Sequence, residues 1–390
     1  MKFSFTYGLF GPKIDGFLLP PIWQDDWDVF HGTFLDDEFD GGDGNDMMWG
    51  SLGADLFFGG AGSDTVNYSN QGTPSNGASY KGVTVDLEGG KGYGGLAEGD
   101  RYSSVENVIG TAFNDYVVGS SAKNKILTGD GIDQVVISDG ADFLDGGAGR
   151  DQLFLVWHDD VTIDLMNGRG IGGIADGDTY LNFEKAHMYG HRNTFIGSDE
   201  DEELFVRGTE YDVETNGGDD LVSIDAVVDG QIDGGAGIDT LSFFGVPSQG
   251  PQSAPLVFDL ANGEIRHMGA SQGDPKVEIS NIENIYGSSH DDVIIDGRGD
   301  NEYIGGWGAD VFVFDHDFRG ERDVVLGISQ GDYTFDLSQT PVRNYEDLID
   351  GGPRRMEQVG ADTVIYTGRD NQIKIAGIQM DDLTSDYFIF

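Results

Sequence analysis

The chain has no cysteine, which excludes disulfide frameworks, zinc ribbons and thiol catalysis. It is also poor in positive charge: 22 Lys and Arg stand against 70 Asp and Glu, a formal net charge of −48. Nucleic acid and anionic membranes are held by basic patches, so neither is an expected partner. No apolar run approaches the ~20 residues of a membrane span. His-Glu-x-x-His, Gly-x-Ser-x-Gly and the phosphate-binding loop are all missing. The stretch from Met1 to Trp23 is broken by Gly8, Gly11, Pro12, Asp15 and Gly16 and has no Ala-x-Ala-like site. It does not read as a cleavable signal peptide, and export would need another address.

Glycine and acid are abundant. Sixty-two glycines carry a heavy backbone-entropy cost, and so acidic a chain either repels itself or recruits cations. Wholesale disorder does not suit 24 Phe and 15 Tyr that recur at fixed offsets. Folding conditional on a cation suits both facts.

Three consecutive nine-residue units run from Gly41 to Trp49, Gly50 to Phe58 and Gly59 to Asn67, with the form Gly-Gly-x-Gly-x-Asp-x-apolar-x. Further full matches begin at Gly146, Gly234 and Gly305; degenerate copies begin at Gly32, Gly110, Gly119, Thr128, Ile137, Thr215, Gly287 and Asp296. A longer period lies above the short one, since the units at Gly59, Gly146 and Gly234 are 87 and 88 residues apart. Each is followed by an insert with a shared grammar. A short run ends in Asp-Leu (Asp86, Asp164, Asp259), a Gly-Asp pair follows (Asp100, Asp178, Asp274), and a glutamate segment returns to glycine (Glu106, Glu184, Glu283).

Apolar and polar residues alternate with the period of a strand, so the expected class is all-β, a parallel β-roll solenoid. The expected organisation is an N-terminal cap over 1–31 and a roll over 32–313 with inserts at 68–109, 155–196 and 243–286. A closing module spans 314–390. Trp23, Trp27 and Phe30 are placed to cover the open end of the roll.

Each half-turn needs a tight bend and then a short strand. Glycines at positions one, two and four allow the bend and expose carbonyl oxygens. The Asp at position six adds a carboxylate, and the apolar residue at position eight points inward. An oxygen-only cage of about six ligands suits Ca²⁺. The expected carboxylates are Asp37, Asp46, Asp55, Asp64, Asp115, Asp133, Asp142, Asp151, Asp220, Asp239, Asp292 and Asp310. The accompanying glycines are Gly41, Gly42, Gly44, Gly50, Gly53, Gly59, Gly60, Gly62, Gly146, Gly147, Gly149, Gly234, Gly235, Gly237, Gly305, Gly306 and Gly308. Asn124 and Asn301 occupy position six in two copies, where a lost charge predicts a weak or empty site.

With these repeats the chain resembles the RTX (repeats-in-toxin) proteins over roughly residues 32–338. The resemblance implies a right-handed parallel β-roll that is disordered in low calcium and folds at extracellular calcium. The segment Phe314 to Ser338 resembles the closing cap of such arrays. The tail from Ala361 through Met380 to Phe390 resembles an uncleaved type I secretion signal, which would supply the missing address and make the exporter a partner.

Only about 31 residues precede the first unit, too few for a separate catalytic domain. The second insert departs most from its siblings, reading Glu184-Lys-Ala-His-Met-Tyr-Gly-His-Arg192. His187, Tyr189, His191 and Arg192 are the candidate acid, base and carboxylate clamp of a uronan lyase or epimerase. The plainer reading is that His187 and Tyr189 are ordinary strand residues and that His191 and Arg192 lie on a solvated turn. The preferred reading is a secreted, non-catalytic calcium-binding protein that engages matrix polysaccharide or the cell surface, with the enzyme as the alternative.

Overall fold

Position eight builds the core. The structure, a computed structural model, describes residues 6–7, 27–69, 81–243, 254–315, 320–327, 333–368 and 370–390. Nine residues carry the chain halfway round a coil, so alternate units stack in parallel eighteen residues apart. Met48 pairs with Val66, Ile126 with Leu144 and Val135 with Leu153. Met48, Phe57, Val66, Val117, Ile126, Val135, Leu144 and Leu153 are all buried, each adding about 1.5–3 kcal/mol. Their neighbours along each strand point outward, as a period of two requires.

The chain divides into two units, Met1–His187 and Met188–Phe390. In the first unit one face runs Val29–His31, Met47–Trp49, Thr65–Asn67, Asn107–Ile109, Lys125–Gly131, Phe143–Gly149 and Thr179–Leu181, each parallel to the one before. The opposite face carries Glu38–Asp43, Leu56–Ala61 and Arg101–Ser103. It also carries Thr84–Asp86, Tyr116–Val118, Gln134–Val136 and Gln152–Val156.

The first insert explains why Arg101–Ser103 and Thr84–Asp86 flank one another out of sequence order. It is an antiparallel meander of Thr84–Asp86, Lys91–Tyr93 and Arg101–Ser103, spliced into one face. The chain direction reverses twice, so parallel stacking resumes on either side. On the other face Thr65–Asn67 passes directly to Asn107–Ile109. The second insert has the same form in Thr162–Asp164, Arg169–Ile171 and Thr179–Leu181. The Asp-Leu endings are hairpin turns: Asp86, Asp164 and Asp259 accept the amides of Gly89, Asn167 and Asn262 at 2.7, 2.9 and 2.9 Å.

In the second unit Glu203–Glu214 stacks on both Leu221–Ile224 and Gly230–Asp233. The third insert repeats the meander with Leu256–Asp259, Glu264–His267 and Lys276–Ser280, while Thr240–Ser242 stacks directly on Asn284–Tyr286. Beyond it the array continues to Arg322–Leu326 and Tyr333–Gln339. These end strands are covered by Asn371–Ile375 and Phe388–Ile389, so the tail closes the stack. A five-residue helix, Tyr345–Ile349, is capped by Asn344.

At the N-terminus Thr6–Tyr7 pairs with Val29–His31. Phe30 packs edge-on to Phe39, and Trp27 is 57% exposed. The rest of the expected cap, Trp23 included, lies outside the described residues, as do 70–80 and 244–253 of the first and third inserts.

Candidate functional site

The position-six acids form ladders. From Asp46 onward the Oδ1 accepts the amide of the equivalent residue one coil earlier. Asp46 accepts from Asp28 and Asp64 from Asp46, both at 2.8 Å; Asp133 accepts from Asp115 and Asp151 from Asp133, both at 2.7 Å. In the second unit Asp220 accepts from Glu202 at 2.7 Å, Asp239 from Asp220 at 3.0 Å and Asp310 from Asp292 at 2.9 Å. The structure thus joins the expected carboxylates along the coils. Among the described residues no three acidic or histidine side chains converge on one point.

The second carboxylate oxygen divides the rungs. In Asp46, Asp64, Asp133, Asp151, Asp220 and Asp239 the Oδ2 is buried and has no hydrogen-bond partner. In Asp55 and Asp142 it accepts the Ser51 and Ser138 hydroxyls at 2.8 and 2.9 Å. Asp37 holds the Thr33 amide and hydroxyl, Asp115 those of Thr111, and Asp292 those of Ser288.

Backbone oxygens meet the unpartnered carboxylates beside position-one glycines. A Cβ on Gly41 would fall 2.5 Å from Asp46 Oδ2 and against the Gly59 carbonyl. On Gly146 it would lie 2.8 Å from Asp151 Oδ2 and against the Asn182 carbonyl; on Gly234, 2.7 Å from Asp239 Oδ2 and against the Asn281 carbonyl. Gly59 and Gly305 face Asp64 and Asp310 likewise, whereas Gly50 lies against the ring of Tyr68. Gly42, Gly44, Gly53, Gly60, Gly62, Gly147, Gly149, Gly235, Gly237, Gly306 and Gly308 have positive φ, the backbone that positions two and four require. A buried carboxylate oxygen beside a carbonyl oxygen is a hard donor set that fits Ca²⁺.

Burial leaves these carboxylates short of counter-charge. It pushes Asp46 and Asp115 up to about 6 and Asp310 up to about 7. Asp151 and Asp239 rise to about 7, chiefly through burial, against the pull of one backbone amide each. The charges of Asp133 and Glu184 add to the rise at Asp151, and those of Asp220 and Glu283 at Asp239.

Several rungs lie outside the nine-residue formula. Glu106, Glu184 and Glu283 accept the amides of Asp64, Asp151 and Asp239 at 2.9, 2.8 and 2.8 Å. Asp100 and Asp178 accept those of Asp55 and Asp142 at 2.9 and 2.7 Å, and their second oxygens are closed by the Tyr68 and Tyr180 hydroxyls at 2.5 and 3.1 Å. Asp323 is a further rung, accepting the Asn301 amide at 3.2 Å, and Glu202 stands at position six of its unit and donates its own amide to Asp220. Their signal in the sequence is an acid two residues before a buried apolar side chain, as in Glu106-Asn-Val108. Asp274 breaks the expected equivalence with Asp100 and Asp178. It is exposed and only caps its own turn, accepting the Ser271 amide at 2.6 Å.

Asn124 and Asn301 join the ladder by the opposite polarity. Their Nδ2 groups donate to the Glu106 and Glu283 carbonyls at 2.8 Å, where an acid would accept.

The four residues of the second insert lie on or beside one strand, Lys185–Ile196. His187 and Tyr189 are half-buried on the face opposite Ala186 and Met188, while His191 and Arg192 are exposed. His187 stacks on Phe154 with ring centroids 4.2 Å apart and has Nε2 3.3 Å from Gln152 Oε1. His191 Nδ1 lies 2.5 Å from the Thr209 hydroxyl, and Arg192 takes a φ of 55°.

Comparison with known proteins agrees with the ladders. The family model described as RTX calcium-binding nonapeptide repeat matches in four copies, at residues 31–66, 103–135, 138–155 and 280–312. The stretch 197–242 falls outside those matches, yet its rungs Asp220 and Asp239 accept amides one coil earlier with the same geometry. Among solved structures the chain is similar to the extracellular lipase LipA from Serratia marcescens, at 16% identity and a TM-score of 0.18. That match covers 51% of this chain and 40% of the lipase. No curated protein matches the chain. Its repeats are RTX calcium-binding nonapeptide repeats, set in a largely parallel all-β structure.

Proposed function

We propose that this chain is an exported β-roll whose folding is switched by calcium and whose role outside the cell is binding. One observation carries the proposal: six position-six aspartates hold a buried Oδ2 that has no hydrogen-bond partner among the described residues. An unpaired buried charge is costly, and a divalent cation shared with the adjacent carbonyl removes the penalty. Bound calcium would supply positive charge and crosslink successive coils. The chain's own part is to aim carboxylate and carbonyl oxygens at one point and to keep water from the rung. Without the cation, a chain of net charge −48 repels itself along every ladder. Such a chain would pass a type I exporter unfolded and fold where calcium is plentiful; the tail over 361–390 is the proposed signal.

Circular dichroism during a calcium titration tests the switch. The expected result is a cooperative gain of β-structure; a full β-spectrum in excess chelator would refute it.

For the binding role we propose acidic polysaccharide at a matrix or cell surface. A pocket of about 400 Å³ between the roll strands Glu203–Glu214 and Gly230–Asp233 and the third insert is lined by Asp212, Glu214, Gln231, Asp233, Asn262 and Lys276, among others. An acidic glycan would meet its carboxylates through a bridging divalent cation. Retention on immobilised alginate or pectate that needs calcium is expected, without unsaturated product. Release of unsaturated product that His187→Ala and Tyr189→Phe abolish would instead favour the lyase or epimerase alternative.

A further inference from the structure

We infer that calcium loads only some of the rungs, and that residue two of each nonapeptide selects them. The inference rests on the calcium reading above and specifies its sites. In every unit the acid stands four residues after position two, within reach of a hydroxyl there. Where position two is Ser or Thr, that hydroxyl closes the acid. Thr33, Ser51, Thr111, Ser138 and Ser288 donate to Asp37, Asp55, Asp115, Asp142 and Asp292, at 2.7–3.2 Å. Where position two is Gly42, Gly60, Gly129, Gly147 or Gly235, that position has no side chain to offer the acid, and the Oδ2 of Asp46, Asp64, Asp133, Asp151 or Asp239 is left buried and unpartnered. Gly306 is the exception, since Asp310 has no such buried oxygen.

The two irregular units follow the same logic. Asn216 stands at position two before Asp220, but φ of 70° turns it away and its Nδ2 donates to the Gly197 carbonyl at 2.9 Å. Asp220 Oδ2 stays unpartnered. Ser198 does engage Glu202, yet it occupies Oε1 alone, and the longer side chain leaves Oε2 buried without a partner. Against the rise that burial causes, a hydroxyl at position one sits near enough to draw the carboxyls of Asp133 and Asp220 down, yet it leaves their Oδ2 without a hydrogen bond of proper geometry. Thr128 donates to the Gly146 carbonyl and Thr215 to the Gly234 carbonyl, both at 2.7 Å.

The selector alternates along the chain, so loading is one-sided at the start of the roll. Asp46 and Asp64 are open on one face, and Asp37 and Asp55 are closed on the other. The open oxygens require a cation and the closed rungs do not. A hydroxyl-closed carboxylate is already solvated by the protein, so calcium gains less there than at an open one.

Equilibrium dialysis with radiocalcium counts the ions directly, with circular dichroism confirming the fold of each variant. Asp151→Asn should bind at least one ion fewer than the parent. Asp142→Asn and Asp55→Asn should bind the parental number, since Asn keeps the Oδ1 acceptor that holds the rung. Ser138→Gly, which removes only the hydroxyl at that rung, should bind one ion more. Loss of an ion from both Asp142→Asn and Asp55→Asn, or no gain in Ser138→Gly, would overturn the selection while leaving the calcium reading intact. A parent that binds no calcium would overturn both.

Discussion

Replacing Gly146 by alanine tests whether the ladder is built at contact distance. A Cβ there would lie 2.6 Å from the Asp151 Cβ, 2.8 Å from its Oδ2 and closer still to the Asn182 carbonyl oxygen. Non-bonded atoms settle at about 3.5–4.0 Å, so the carbonyl or the rung must move by about 1 Å. Neither gives way easily. The carbonyl belongs to backbone, and the carboxylate is held by the Asp133 amide at 2.7 Å. Overpacking of this kind costs about 1–3 kcal/mol. For a unit of this size that is a fall of roughly 2–12 °C in melting temperature. The urea midpoint should fall by about 1 M. Gly217→Ala is the matched control, because its nearest atoms would lie 3.6 Å away and its φ is ordinary. That variant should stay within about 0.5 kcal/mol of the parent. Thermal and urea melts in saturating calcium measure both. A Gly146→Ala protein that melts with the parent, or a Gly217→Ala protein that loses as much, would refute the contact geometry.

Acid should substitute for calcium in part. Asp46 and Asp115 are raised to about 6 and Asp151, Asp239 and Asp310 to about 7, so the folded chain binds more protons than the unfolded one. Their contribution is fully present below the unfolded value near 4 and is lost as pH rises through about 7. In chelator the β-signal should therefore be stronger at pH 5 than at pH 8, and equal signals would contradict the burial of these groups. Asn124→Asp should set a carboxylate oxygen against the Glu106 carbonyl that Asn124 now bonds at 2.8 Å. In chelator it should cost about 1–3 kcal/mol by urea melt. Tyr68→Phe removes the hydroxyl that closes Asp100 at 2.5 Å and contacts Tyr102 at 2.6 Å, and the same assay should register about 1–3 kcal/mol. A neutral result would mean that another donor replaces the phenol.

The sequence was most legible where one residue type has one job. Glycines at positions two and four announce positive φ, and apolar residues at position eight announce the core. Both needs are local, so both survive in the one-dimensional pattern. The inserts were half legible. Asp86, Asp164 and Asp259 could be grouped by pattern, but that each turns a hairpin, and that each hairpin is spliced into one face, depends on pairings between distant strands. The rungs Glu106, Glu184 and Glu283 were visible as a shared glutamate without a role, because the formula expects Asp after glycine. The division between open and closed acids lay in the letters of most units, as Gly or as Ser and Thr four residues earlier, with Asp220, Glu202 and Asp310 departing from it. It became readable only once hydrogen bonds showed what a hydroxyl at that position touches.

The Glu-Asn pairs of the first and third inserts show how a ladder survives a change of rung. Glu106 and Glu283 reach back to the Asp64 and Asp239 amides, and their own amides are spent on the Asp64 and Asp239 carbonyls at 3.1 Å. The next rung therefore finds no free amide one coil earlier. In the first and third inserts it meets a carbonyl, which a donor can answer. Eighteen residues after each glutamate stands an asparagine, Asn124 or Asn301, whose Nδ2 makes that bond. The asparagine of each pair works forward: Asn107 and Asn284 accept the Lys125 and Glu302 amides at 2.9 Å. The second insert has Glu184-Lys185 instead, and eighteen residues on it carries Glu202 rather than asparagine. Asn124 is a fully hydrogen-bonded joint, its Oδ1 accepting the Ser120 amide and its Nδ2 donating to Glu106. Asn301 makes the same Nδ2 bond but keeps a buried Oδ1 with no partner among the described residues. The asparagine is one answer to a glutamate rung and not the required one, since the Glu184 amide is likewise bonded to the Asp151 carbonyl, at 3.2 Å, and Glu202 follows it.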